Sequence, residues 1–79
     1  MNSERYQRII DWGEYYGYDI VSLSDLAGIN RNTLPRGVYR GSKMRMSTAR
    51  KVAQALEKAE GIKMPVHRLL NEDPPRHDP

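Results

Sequence analysis

The chain has 79 residues, no cysteine and a formal charge of +3. A single domain of this size buries only about 60% of the surface of its unfolded chain, which leaves little room for an enclosed catalytic cavity. The missing cysteines exclude disulfides, thiolate metal sites and thiol nucleophiles, and no apolar run approaches the roughly 20 residues that span a bilayer.

Taken in chain order, the pattern is helical from Ser3, which is placed to cap a first turn carrying Glu4 near the positive end of the helix dipole. Tyr6, Ile9, Ile10, Gly13 and Tyr16 recur at helical spacing and predict a core-facing stripe on a helix over 4–16. Trp12 falls off that stripe and points to a second contact surface. Asp19, with Ser22 three residues on, opens a short helix over 20–27 that closes at Gly28, with Ile20, Leu23 and Ala27 inward. Ser22 with Asp25 offers a competing, later start.

A third helix is expected over 32–39, and Pro35 bears on where it begins. With Asn30 as cap, Pro35 would be the fifth helical residue, where the missing N–H costs up to ~3 kcal/mol. With Asn32 or Thr33 as cap, Pro35 falls in the first turn, where no donor is required. The later start is favoured, with Asn30 to Asn32 as an extended lead-in. A competing pattern runs through "GVYRGSKMRM", which alternates after Gly37. Gly41-Ser42 suits a two-residue hairpin turn, so residues 38–46 could instead form a basic β-wing.

Met46, Ala49, Val52, Ala53 and Leu56 fit the helical template and predict a helix over 47–60, with Ser47 or Thr48 as cap and Gly61 at its end. Pro65 suits the first turn of a last helix over 65–71, with Val66, Leu69 and Leu70 packing inward. The tail "EDPPRHDP" has three prolines and no apolar residue, and is expected to be disordered. The whole is an all-α fold, a compact five-helix bundle forming one domain over 1–71 with a tail over 72–79.

Charge is segregated along this framework. Residues 1–29 carry a net −3, residues 30–51 a net +7 with no acid at all, and residues 52–79 a net −1. A solvated face normally mixes its signs, so 22 consecutive residues holding all the excess positive charge read as a footprint for phosphates.

The turn "AGIN" joins the second and third helices. Gly28 suits the turn, Ile29 plugs the core between the helices, Asn30 is placed to cap the third helix, and Leu34 presses back on the core. Two short helices joined in this way form a helix-turn-helix unit, whose second helix enters the DNA major groove. Arg31, Asn32, Thr33 and Arg36 are then the residues aimed at base edges, since arginine pairs with guanine and asparagine with adenine through two bonds each. Asn30, Tyr39, Arg40, Ser42, Lys43, Arg45 and Arg50 are the candidates for phosphate contacts. Arg50 and Lys51 open the long helix and read as ordinary solvated charges or, for Arg50, as a contact to the DNA backbone.

From Asp19, Leu23, Gly28-Ile29, Arg31-Asn32-Thr33-Leu34 and Arg36, with a gapless span to Leu56 and the closing "VHRLL", the chain resembles the Cro–repressor type of helix-turn-helix, the phage-repressor-like XRE family. The resemblance covers roughly residues 19–70 and implies a lambda-repressor-like DNA-binding domain. Four departures stand out: Ser24 where alanine is usual, Gly37 where a branched apolar residue packs, Pro35 within the recognition helix, and a longer loop before the last helix. In size and charge the chain also resembles the winged-helix excisionases of phages.

The resemblance implies a sequence-specific double-stranded DNA-binding protein, a small transcriptional regulator or repressor of phage or mobile-element type. The alternatives are an architectural, excisionase-like recombination factor and an antitoxin or anti-repressor that meets an acidic protein partner. One short helix reads too few base pairs for a genome, so a homodimer is expected, with Trp12, Val66, Leu69 and Leu70 as its apolar contacts. His67 and His77 lack ligand-spaced partners, and no nucleophile motif is present. The expectations are therefore no enzyme, no metal, no cofactor and no small-molecule ligand. The start "MNSERYQRII" has no signal-peptide core, so a cytoplasmic protein associated with the nucleoid through DNA is expected, with no membrane contact.

Overall fold

A computed structural model describes residues 2–75, the side chain of Asn2 excepted. Five helices succeed one another in chain order: α1 Asn2–Tyr15, α2 Ile20–Ala27, α3 Thr33–Arg40, α4 Met46–Glu60 and α5 Val66–Asn71. The fold is all-α, and no strand occurs among the described residues. No helix among them is long and apolar enough to cross a membrane.

The local signals account for most of the boundaries. Asp19 is extended and its carboxylate accepts the Ser22 N–H at 2.7 Å, which fixes the earlier of the two starts for α2. Gly28 closes α2 in the left-handed region at φ 70°, and the Ile29 N–H returns to the Ser24 carbonyl at 3.0 Å. Three caps differ from expectation. Ser3 lies inside α1 rather than before it. Ser47 and Thr48 lie inside the first turn of α4, whose N-cap is Arg45 without any side-chain cap. Gly41, at φ 65°, is the C-cap of α3 and not half of a hairpin turn. The β-wing is therefore absent: residues 38–40 finish a helix and 41–45 have no regular structure.

The alternation that suggested the wing survives as burial. Lys43 and Arg45 face solvent while Met44 turns into the core. Met46, expected to open the inner stripe of α4, is half exposed instead, and Ala49, Val52, Ala53 and Leu56 form that stripe. Met64, just before α5, is also buried.

Helix α1 organises the bundle. It packs mainly against α3 and α5, while α2 lies along α4. Sandwiched in this way, α1 buries a wider arc than one stripe: Tyr6, Ile9, Ile10 and Trp12 are all in the core. Trp12 is only 1% exposed, and its Nε1–H donates to the Glu72 carbonyl at 2.8 Å. Its ring stacks on Tyr16, meets Tyr15 edge-on and carries the Arg68 guanidinium at 5.3 Å. Leu69 and Leu70 are buried against the same helix. Full burial of a leucine is worth about 1.5–3 kcal/mol, so these residues serve the chain's own core and are not free to join two copies. Val66 is half-buried against that core.

The beginning of the expected loose tail is held in place. Arg8 pairs with Asp73 at 3.3 Å and also donates to the Leu70 carbonyl, alongside the Trp12–Glu72 bond. Residues 76–79 lie outside the described part.

Candidate nucleic-acid interface

Helix α3 starts at Thr33, so Pro35 is its third residue, in the first turn, where its missing donor interrupts no intrahelical bond. The approach to the helix is a turn rather than an extended lead-in. Asn30 Oδ1 accepts the Asn32 N–H at 2.8 Å, the Asn30 carbonyl accepts the Thr33 N–H at 3.0 Å, and Asn32 itself is αR. The Asn32 side chain makes no capping bond and is left facing solvent.

Leu34 and Gly37 face the core, which turns Asn32, Pro35, Arg36 and Tyr39 outward as one ridge at helical spacing. Tyr39 is 90% exposed, the most open large apolar side chain of the chain's described part. It therefore sits with the expected base-reading residues Asn32 and Arg36 and not apart from them. Thr33 is half-buried at the start of the helix. Arg31 is exposed but engaged: its Nε and Nη2 donate to the two Asp25 carboxylate oxygens at 3.1 and 3.0 Å. That hydrogen bond, with the attraction of the charges, raises the Arg31 pKa further above its ordinary value.

Arg40, Ser42, Lys43, Arg45 and Arg50 all face solvent, on the end of α3, the connecting segment and the start of α4. Together with Arg36 and Lys51 the segment presents six exposed cations, none of which is paired with a carboxylate among the described residues. The α4 N-terminus, lacking a side-chain cap and any acid in its first turn, opens between Arg45 and Arg50. By contrast, the start of α2 is already occupied by the Asp19 carboxylate.

Two residues of this surface are not singled out by the sequence pattern, Asp25 as a partner of Arg31 and Lys51 as more than an ordinary charge. Lys51 has a usable signal in its membership of the basic run. Asp25 has no local signal, since its partner lies across the turn, six residues on. Among the described residues no group of three or more metal-ligating side chains is assembled.

Comparison with protein-family models, curated proteins and solved structures finds no match to this chain.

Proposed function

We propose that this chain is a sequence-specific double-stranded DNA-binding protein, a small transcriptional regulator of phage or mobile-element type. One observation carries the reading: six exposed cations, unpaired among the described residues, run from the outer ridge of α3 to the start of α4. Like charges held together without counter-charges favour a polyanion, and their release of condensed counterions supplies the affinity. The open α4 N-terminus adds backbone donors suited to a phosphate. The ridge of Asn32, Arg36 and Tyr39 adds bidentate and apolar groups suited to base edges. The likeness to Cro–repressor-type proteins agrees with this division of labour.

The excisionase-like alternative drew on a β-wing, and the helical end of α3 removes that support. Two copies on half-sites about one helical turn apart remain the expectation, because α3 reads only a few base pairs. Their contact must avoid Trp12, Leu69 and Leu70; among the described residues Val21, Leu26 and Met46 are the exposed large apolar residues outside the reading ridge.

Selection of bound sequences from random duplex DNA tests the proposal. A discrete motif is expected, and Arg36→Ala should cost about 1–3 kcal/mol on that motif while relaxing one or two of its base pairs. Failure to retain any duplex at low salt would sink the DNA reading and leave the protein-interaction alternative.

A further inference from the structure

The Asp25–Arg31 pair is the only ion pair between a carboxylate and the basic segment among the described residues. Its geometry is informative. A guanidinium offers two edges that each carry two parallel N–H bonds: one from Nε and Nη2, the other from Nη1 and Nη2. Asp25 occupies the first edge through both of its oxygens, at 3.1 and 3.0 Å. The second edge is left open, and its two parallel donors can meet the O6 and N7 acceptors of guanine. A free arginine must give up much of its rotamer freedom to hold such a geometry. Here the side chain is already clamped, from a carboxylate on the last turns of α2, beside the start of the reading helix.

We propose that Asp25 is a positioning residue that presents the Nη1–Nη2 edge of Arg31 to a guanine in the major groove. The inference rests on the DNA-binding reading and makes it more specific. Clamped Arg31 is a base reader, as is Arg36 on the ridge, whereas the other five unpaired cations are phosphate holders. The carboxylate also places a negative charge next to Arg31, which discourages its use on an arbitrary phosphate. Asp25 therefore acts on discrimination and not on general affinity.

The experiment compares the wild type, Asp25→Asn, Arg31→Ala and the double variant, each on the selected duplex, on that duplex with single G·C pairs replaced, and on unrelated duplex. Both side chains are exposed, so thermal unfolding should confirm that all four proteins fold. Arg31→Ala is expected to erase preference at one G·C pair. Asp25→Asn is expected to lower discrimination at that same pair by about tenfold, to leave binding to unrelated duplex equal or tighter, and to add nothing when Arg31 is already alanine. Full discrimination in Asp25→Asn, or an equal loss on every duplex, overturns the positioning role while leaving DNA binding intact. Wild-type protein that shows no sequence preference overturns both the role and the reading beneath it.

Discussion

The ring of Tyr6 on α1 occupies the space beside Gly37 on α3 that a side chain would need; a β-carbon at Gly37 would overlap the ring. Tyr6 is buried, and α3 packs more extensively on α1 than on α2. The branched apolar group that the Cro–repressor resemblance leads one to expect at this position is thus replaced by a ring from another helix. A helical Gly→Ala change ordinarily gains about 1 kcal/mol, and forcing a methyl into a packed ring costs about 1–3 kcal/mol. Gly37→Ala should therefore lower stability by up to about 2 kcal/mol in urea unfolding. In a Tyr6→Leu background the same change should be better tolerated, and an equal cost in both backgrounds would show that the ring is not the obstacle.

Pro35 stands in the first turn of α3, so its missing N–H costs nothing. Pro35→Ala should change stability by less than about 1 kcal/mol. A gain above about 2 kcal/mol would place the start of the helix at Asn30.

Ser24 is 0% exposed, and its Oγ has no hydrogen-bond partner among the described residues. An unsatisfied buried hydroxyl costs about 1–3 kcal/mol. Ser24→Ala keeps the packing and removes that cost, so it should raise stability by about 1 kcal/mol. A destabilised Ser24→Ala protein would mean that the hydroxyl is bonded in solution.

The Asp19 carboxylate is held below its ordinary value of 3.8, chiefly by the Ser22 backbone N–H and then by the Ser22 side chain. A carboxylate whose pKa falls on folding stabilises the protein above its unfolded value, and that stability is lost as pH drops through the folded value. The difference in melting temperature between the wild type and Asp19→Ala should thus be constant at neutral pH and shrink below pH 3.8. A difference unchanged at pH 2 would show that the charge of the cap plays no part.

If Arg40, Lys43, Arg45 and Arg50 hold phosphates, about 3–5 ion contacts per copy should make log K fall with log salt at about −0.9 per contact. Lys43→Ala should weaken every duplex alike and reduce the slope by about one unit. A slope near zero in fluorescence-anisotropy titrations would end the phosphate reading.

The helix positions were legible in the chain itself, because their signals are local. Asp19 and Gly28 delimit α2, Pro35 excludes an early start for α3, and the spacing of Ala49, Val52, Ala53 and Leu56 defines α4. The basic segment was equally legible, since charge is a property of composition. The tertiary structure decided which faces meet. Wrapping by α3 and α5 drew Trp12, Leu69 and Leu70 into the core and away from any contact between copies. It set Tyr6 against Gly37, turned Met44 inward and Met46 outward, and laid Arg31 on Asp25. Periodicity says that a helix has an inner face, but how wide that face is depends on how many helices surround it. That number arises only from contacts between segments far apart in the chain.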